Sequence, residues 1–421
     1  MVYMAEGLKV LMMGGKRVGK SSALAAVMDA FINGESANYF NAKDTTVLSK
    51  IDGEKQASIK SKLSDVKEML SKYSGKTILV DSGSTNNKWD YTLELTLPNT
   101  NDSMEITFTD INGEFFEGGN LYQEQVIELV KKYDVFIVAV DTTFMMEARN
   151  DNSDLVDEVI NIKYNCVESI HTFLSYINDE DGANAKLVIF VPIKCERWAK
   201  EGLLDSVSTA LNEDYKTAIS ALERYKSVQI EILPIQTVGS AQFSKHMEAY
   251  VFDWTSKFLF FFNQNKSARC GLLPNNKVLL SDGTIKQVEC GNLREDMEAV
   301  LIPNTDILRP NSWYEITSSE YAPHNCEQLA FHILNFMLAK VVDAKIRSEE
   351  NMNGFVRFLR NAANAALNIV TFQLWDKLRD IFGGIRIEQM KSVISQLKSH
   401  NLIKESGEGI VILKKCNFRT E

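Results

Sequence analysis

The sequence predicts a doubly wound α/β fold, in which helices cover both faces of a mostly parallel sheet. A glycine-rich loop at 14–21 lies between a short apolar stretch, 8–13, and a run of strong helix formers. Two later runs, 134–141 and 186–192, are almost continuously apolar, as expected for strands that are buried on both faces. Predicted strands and helices alternate over about 230 residues, which is the pattern of this architecture.

The other predicted elements follow the same alternation. Residues 89–97 and 104–109 carry alternating apolar side chains on either side of a polar turn, and we expect a hairpin there. The remaining predictions are helices at 121–132, 155–178, 215–225 and 326–342 and a strand at 228–233.

The glycine-rich loop matches the complete G-x4-G-K-[ST] pattern that binds nucleotide phosphates. Its glycines allow successive N–H groups to turn onto phosphate oxygens, and the following helix adds its N-terminal partial charge. We expect Lys20 to reach the β- and γ-phosphates and the Ser21 hydroxyl to ligate Mg²⁺. The residues predicted to contact the phosphates are Gly14, Gly15, Lys16, Arg17, Val18, Gly19, Lys20, Ser21 and Ser22.

The composition is that of an ordinary globular protein. The chain has 421 residues, of which 45% are hydrophobic and 24% charged, so two or three domains are expected. The longest aromatic cluster, 258–262, is far too short to span a bilayer, and little sequence precedes the first predicted strand. The six cysteines include no C-x2-C pair, which argues against a zinc site and predicts a reducing, cytoplasmic location without membrane contact.

We expect a main domain at 1–345 that carries two additions. A helical insertion is predicted at about 41–80. Its middle has apolar residues at helical spacing, and the stretch from about 33 to 74 has no pattern typical of a strand. A β-rich arm is predicted at about 264–320, where 277–285 has the pattern of a hairpin that turns at Asp-Gly.

Residues 346–421 are predicted to form a small helical C-terminal domain. Its last predicted helix, 387–403, precedes a turn and a strand, which is also the order of elements in a winged-helix module. The net charge of the chain is −10, but 340–421 carries 14 Lys and Arg against 9 Asp and Glu. The acidic remainder argues against nucleic-acid binding by the main domain. The basic tail leaves a nucleic acid open as a partner, although a solvated helix face explains the same charges.

A second motif follows the predicted strand at 104–109. Asp110-Ile111-Asn112-Gly113 matches the D-x-x-G motif of GTPases. In that motif the aspartate holds Mg²⁺ through water and the glycine N–H senses the γ-phosphate. We expect Thr85 to complete the metal shell, because it precedes the hairpin strand, with Thr45 and Thr46 as alternatives.

Two segments occupy the positions of base-recognition loops. Ile193-Lys194-Cys195-Glu196 follows a buried strand. Here we expect Lys194 to pack on the purine and Glu196 to accept the two guanine N–H groups that adenine lacks. Val238 and Gly239 follow the next strand, and their N–H groups are predicted to contact the guanine oxygen.

This order of motifs resembles the TRAFAC class of P-loop GTPases over roughly 7–245. Segments 140–147, 191–196 and 321–328 more narrowly resemble the double-GTPase families of bacterial conflict or signalling systems. The resemblance implies GTP and GDP as ligands, Mg²⁺ as the cofactor, and Lys20 as a catalytic residue.

The sequence departs from this pattern in three places. Glu114 stands where Ras-like members carry a water-orienting glutamine, so it either acts as a general base or repels the γ-phosphate. Lys16 and Arg17 occupy loop positions that are usually small. Either supplies the charge that an arginine finger supplies elsewhere, or both point to solvent. Ile193 replaces the Asn or Thr that braces the base loop.

These observations leave two hypotheses. The first is a regulatory GTPase with Mg²⁺-dependent hydrolysis, which signals its state to an unknown protein effector, in bacterial defence or signalling if the narrower resemblance holds. The alternative is an ATP-binding or hydrolysis-deficient scaffold whose C-terminal module docks a protein or DNA.

Overall fold

A computed structural model gives the fold. It describes residues 7–34, 37, 41–51, 54–79, 87–96, 103–116, 123–150, 153, 156–177, 185–247, 311–340, 343, 391, 394–395, 402–416 and 418, and the backbone of five strands between 249 and 287. Among the described helices, none combines the length and the apolar character needed to cross a bilayer.

A central sheet organises the described part of the chain. Its strands, in the order in which they lie side by side, are β18 (Ser406–Gly407), β19 (Ile410–Lys414), β10 (Val228–Ile232), β9 (Lys186–Ile193), β8 (Val135–Asp141), β1 (Leu8–Met13), β7 (Ser103–Asp110), β6 (Trp89–Thr96) and β2 (Asn41–Asp44). The five strands from β10 to β7 run parallel, and the outer strands on both sides are antiparallel. The predicted α/β fold with a mostly parallel sheet is confirmed.

Helices cover both faces of this sheet. They are α1 (Lys20–Asn33), α2 (Ile59–Tyr73), α3 (Gln123–Lys132), α4 (Thr142–Glu147), α5 (Glu158–Tyr164), α6 (Val167–Leu174), α7 (Glu196–Lys200), α8 (Leu204–Asp214), α9 (Lys216–Leu222) and α10 (326–340). Successive residues of β1 face opposite sides, as a strand requires. Val10 packs in the core with α1 and α10, and Leu11 packs in the core with α3, α6, α8 and α9.

The insertion differs in part from the expected helical segment. It contains α2, but also the edge strand β2 and the short pair β3 (Lys50–Ile51) and β4 (Glu54–Lys55). The residues of these strands are exposed or half-buried. The strands therefore lack the alternation of apolar and polar residues from which a strand is predicted. The insertion ends in β5 (Thr77–Leu79), which pairs with β17 (Asn311–Ile316), and β17 pairs with β11 (Ala241–Met247).

An antiparallel meander occupies much of the predicted β-rich arm and begins before it. It consists of β12 (Ala249–Asp253), β13 (Phe258–Asn263), β14 (Lys266–Leu273), β15 (Lys277–Leu279) and β16 (Ile285–Gln287). The last two strands pair as the predicted hairpin, while the Asp-Gly turn between them lies outside the described residues.

The helix predicted at 155–178 is instead two helices, α5 and α6. The break falls at Cys166, which has a left-handed backbone with φ of 52°. The preceding Asn165 is occupied by tertiary contacts, because its Oδ1 accepts the Asp141 N–H at 2.7 Å and its carbonyl accepts the Tyr215 hydroxyl at 3.0 Å. Asn165 still has helical backbone geometry, so the helix is interrupted only at the next residue, Cys166.

The end of the chain also differs from the winged-helix expectation. The strand predicted to follow the last helix is β19, and it pairs antiparallel with β10 as part of the central sheet. The connecting turn is held at Gly409, whose carbonyl accepts the Ser208 hydroxyl at 2.5 Å and whose N–H donates to Asp205 at 3.1 Å. Most of 344–401 lies outside the described residues, so the predicted domain boundary at 346 stays a prediction.

Candidate functional site

The phosphate loop connects β1 to α1 and is shaped by close backbone contacts. Gly14 and Gly19 have φ of 139° and 109°, which side-chain-bearing residues rarely adopt. A Cβ on Gly15 would lie 2.2 Å from the Tyr164 carbonyl oxygen, so only glycine fits there. Val18 is fully buried beneath the loop, whereas Ser22 is half-buried in the first turn of α1.

Lys20 lies inside this loop rather than in solvent. Its side chain is buried, and Nζ donates hydrogen bonds to the carbonyls of Gly14 at 2.9 Å and Gly15 at 2.8 Å. The ammonium is therefore held at the point where the loop turns, with carbonyl partners that a phosphate could replace.

Ser21 and Asp110 meet at the carboxyl ends of the neighbouring strands β1 and β7. The Ser21 hydroxyl donates to Asp110 Oδ2 at 2.5 Å, and the Asp110 side chain is fully buried. Asp110 Oδ1 has no hydrogen-bond partner, which is costly for a buried carboxylate. A hydroxyl beside a carboxylate with an unsatisfied oxygen is a donor set that fits a hard divalent cation such as Mg²⁺.

Lys62 of α2 also reaches this position, and the sequence analysis missed it. Its Nζ lies 4.0 Å from Asp110 Oδ2 and 5.1 Å from the centre of the Tyr91 ring. Burial lowers the pKa of Lys62, and the Asp110 charge opposes this shift only in part. The sequence holds no signal for the contact, since the spacing of α2 predicts only which of its residues face the core.

The D-x-x-G loop packs directly on the phosphate loop. A Cβ on Gly113 would lie 2.2 Å from the Lys16 nitrogen, so the two backbones are in contact. The Glu114 carboxylate forms an ion pair with the Lys16 ammonium, and the Glu114 N–H donates to Asn112 Oδ1 at 3.0 Å. The neighbouring Arg17 has a left-handed backbone with φ of 61° and a half-buried side chain.

The residue predicted to complete the metal shell is not located by the structure. Thr85 lies outside the described residues. The alternatives, Thr45 and Thr46, both form hydrogen bonds with β6. Thr46 Oγ1 accepts the Thr92 N–H at 3.0 Å, and the Thr45 hydroxyl donates to the Thr92 carbonyl at 3.4 Å.

Lys194 follows β9 and lies beside the phosphate loop. It has a left-handed backbone with φ of 62°, and its Nζ lies 2.6 Å from Asp141 Oδ2. A Cβ on Gly19 would lie 3.6 Å from Lys194 Cε. The lysine stem thus lies against the loop, and its predicted packing on a purine stays a prediction.

Glu196 makes contacts that differ from the predicted ones. Its buried Oε1 accepts the N–H groups of Val238 at 3.1 Å and Gly239 at 3.2 Å. These are the donors predicted to contact the guanine oxygen, so carboxylate and base compete for them. Burial raises the pKa of Glu196, and the two N–H groups oppose that shift only in part.

No protein-family model and no curated protein matches the chain. Among solved structures it is similar to the signal recognition particle receptor SRb-GTP/SRX complex from Chaetomium thermophilum. That match has 11% identity and a TM-score of 0.33 and covers 56% of this chain and 92% of the other. A second match is Methanosarcina barkeri Roco2 RocCORdC bound to GDP, with 12% identity and a TM-score of 0.22, over 55% of this chain and 46% of the other. At these values neither likeness bears on the activity of this chain.

Proposed function

We propose that the chain binds GTP and GDP with Mg²⁺, hydrolyses GTP and acts as a nucleotide-controlled regulatory switch. The observation that carries the proposal is the hydrogen bond from Ser21 to the buried Asp110 carboxylate, next to the Lys20 ammonium. A hydroxyl, a carboxylate and an ammonium around one glycine-lined loop are the groups that a metal–triphosphate complex requires.

Each residue of the site has its own task in this proposal. Lys20 exchanges its loop carbonyls for the β- and γ-phosphates, while the loop N–H groups bind other phosphate oxygens. Ser21 and, through water, Asp110 hold the Mg²⁺, which neutralises phosphate charge when it is bound. Arg17 supplies further positive charge, and Glu114 is the candidate for orienting the attacking water.

Guanine selectivity rests on the two loops that follow β9 and β10. Lys194 would cover the purine, and Glu196 would accept the guanine N–H groups at N1 and N2. Val238 and Gly239 would donate to the guanine oxygen once Glu196 no longer occupies both N–H groups.

The switch itself would consist of the segments next to the metal and the γ-phosphate. Gly113 would contact the γ-phosphate and Thr85 the metal, so that hydrolysis releases both segments. A protein effector would recognise the ordered form. A cytoplasmic role in bacterial defence or signalling is part of the proposal and rests on the resemblance of 140–147, 191–196 and 321–328 to double-GTPase families.

Calorimetry with GTP, GDP and ATP, each with and without Mg²⁺, tests the proposal. We expect GTP and GDP to bind more tightly than ATP. Replacing Lys20 by Met should weaken GTP binding about ten- to hundredfold, the range for lost hydrogen bonds to charged groups. Lys226→Met, which removes an exposed lysine, is the matched control. Failure of the wild-type chain to bind any of the three nucleotides would overturn the proposal.

The contacts of Glu196 favour one alternative. Because its carboxylate already accepts both loop N–H groups, the base site could lack guanine preference. The chain would then be an ATP-binding or hydrolysis-deficient scaffold, with its C-terminal part docking a protein or DNA. Equal affinity for ATP and GTP in the same calorimetry would select this alternative.

A further inference from the structure

We propose that Lys62 competes with the divalent cation for Asp110, and that this competition couples metal binding to the position of α2. The inference rests on the proposed metal site at Ser21 and Asp110. It assigns a regulatory task to the insertion, since α2 carries Lys62.

The position of Lys62 supports this competition. Its Nζ lies 4.0 Å from Asp110 Oδ2, the same oxygen that accepts the Ser21 hydroxyl. The Lys62 side chain is only 18% exposed and Asp110 is fully buried, so water screens the pair weakly. A cation held by Ser21 and Asp110 would be a second positive charge in the same small volume, and the two charges would repel each other.

Withdrawal of Lys62 from Asp110 would also break the contact of its ammonium with Tyr91. Its side chain lies along the Tyr91 ring, 5.1 Å from the ring centre. The neighbouring Ile59 and Leu63 are buried in the core that also contains α1. In this proposal the buried neighbours of Lys62 leave a displaced ammonium little room beside the sheet, so α2 shifts or loosens to release it.

The other end of α2 is linked by hydrogen bonds to the strands next to the loop that contains Val238 and Gly239. The Gly75 N–H donates to the Ile316 carbonyl at 2.7 Å, and Ile316 pairs with Ala241 across the strands β17 and β11. The Thr317 N–H in turn donates to the Ser240 carbonyl at 2.8 Å. Movement of α2 can thus be transmitted by hydrogen bonds to the residues beside Val238 and Gly239.

Mn²⁺ is the probe of choice, because its binding to the nucleotide-free protein can be followed by electron paramagnetic resonance. Lys62→Met removes the competing charge and keeps the length of the stem. We expect it to lower the dissociation constant of Mn²⁺ about tenfold, equivalent to about 1.4 kcal/mol. Lys62→Arg, which keeps the charge, should stay close to wild type. Lys60→Met, on an exposed position of the same helix, should also bind Mn²⁺ as the wild type does.

Hydrogen exchange provides a second measurement, made on the wild-type chain and on Lys62→Met. Adding Mn²⁺ should speed exchange of the amides in 59–73, and in Lys62→Met the same amides should exchange independently of Mn²⁺. The inference is overturned if Lys62→Met binds Mn²⁺ no more tightly than wild type, or if exchange in α2 ignores the metal. If the wild-type chain binds no nucleotide, the proposed function is refuted. The Mn²⁺ measurements would still decide the role of Lys62.

Discussion

Lys16 and Glu114 form an ion pair that joins the phosphate loop to the D-x-x-G loop. The two side chains are 22% and 40% exposed, so solvent screens the pair and its own contribution to stability is small. Its importance lies in its position, because a γ-phosphate would bring negative charge to the same place. The Glu114 carboxylate and the phosphate would then compete for Lys16.

We therefore expect Glu114→Gln to raise the affinity for GTP relative to GDP. Releasing the Lys16 ammonium for the γ-phosphate should increase the ratio about three- to tenfold, equivalent to about 0.7–1.4 kcal/mol. Calorimetry with GDP and a non-hydrolysable GTP analogue measures it. Adding Lys16→Met should abolish the gain, since the freed ammonium is then missing. A lower ratio in Glu114→Gln would show instead that the carboxylate assists GTP binding.

Glu196 leads to a prediction about pH. Only the ionised carboxylate can accept both guanine N–H groups, and burial raises the pKa of Glu196 above its ordinary value of 4.5. Protonation therefore begins at a higher pH than for an exposed glutamate. We expect the preference for GTP over ATP to fall as the pH is lowered from about 8 toward about 4.5, and the fall to begin at a higher pH than an exposed glutamate would give.

Affinities for GTP and ATP measured across this pH range test the prediction. Glu196→Gln carries no titratable group at this position, so its preference should be low at every pH. Glu201→Gln, at an exposed position one turn later in the chain, should follow the wild type. A wild-type preference that is constant with pH would rule out recognition by the Glu196 carboxylate.

At the scale of elements, the sequence predicted those helices and strands whose formation depends on nearby residues. β1, α1 and the hairpin of β6 and β7 were predictable, because glycine-loop chemistry and apolar alternation are local properties. The break at Cys166 was not predicted, and the adjacent Asn165 bonds to Asp141 and Tyr215, which are distant in the sequence. The contact of Lys62 with Asp110 could not be predicted either, because 48 positions separate the two residues in the chain.

The turn between β18 and β19 provides a matched pair of glycines for a test at this scale. Gly407 and Gly409 have φ of 91° and 76°, so a side chain is strained at either. A Cβ on Gly409 would lie 2.6 Å from the Leu204 carbonyl oxygen, whereas a Cβ on Gly407 would meet nothing within 4 Å. Only Gly409 therefore combines strain with a steric clash against α8.

We expect Gly409→Ala to weaken the pairing of β19 with β10, and Gly407→Ala to leave this pairing intact. The strain common to both is about 1 kcal/mol, and the clash adds to it only at Gly409. Hydrogen exchange of 410–414 measures this weakening, with the amides of β9 as an internal reference. Equal exchange in the two variants would show that the contact with α8 does not anchor the turn.

At the scale of the whole molecule, the central sheet unites segments that the sequence suggested were separate. β19 near the end of the chain extends the sheet beside β10, and β2 of the insertion extends it beside β6. Neither pairing was predictable, because an antiparallel strand near the edge of a sheet has the same pattern as a strand of an exposed hairpin. The site was more predictable than these pairings, since Lys20, Ser21 and Asp110 belong to motifs with fixed positions relative to strand ends.

One buried pair holds three of these segments together. His332 Nδ1 of α10 lies 2.7 Å from Glu231 Oε2 of β10, and His332 Nε2 lies 3.0 Å from the Lys404 carbonyl of the C-terminal part. The Glu231 Oε1 atom accepts from Gln229 at 2.5 Å. Both ionisable side chains are almost completely buried, so their charges interact with little screening.

We expect this pair to make the stability of the chain depend on pH. Burial lowers the pKa of His332, but the Glu231 carboxylate and the Lys404 carbonyl raise it by more than burial lowers it. The pKa of His332 therefore lies above its ordinary value of 6.5. A raised histidine pKa stabilises the folded state fully below the unfolded-state value, and the stabilisation is lost as the pH rises through the folded-state value. The free energy of unfolding should therefore decrease as the pH is raised above about 6.5.

Denaturant titrations of the wild type at several pH values, compared with His332→Gln, isolate this contribution. The variant should be less stable by about 1–3 kcal/mol at low pH and should lose the corresponding slope. His324→Gln, which changes a histidine that is 51% exposed and paired with Glu408 at the surface, should keep the wild-type dependence. A slope that persists in His332→Gln would assign the pH dependence to other groups.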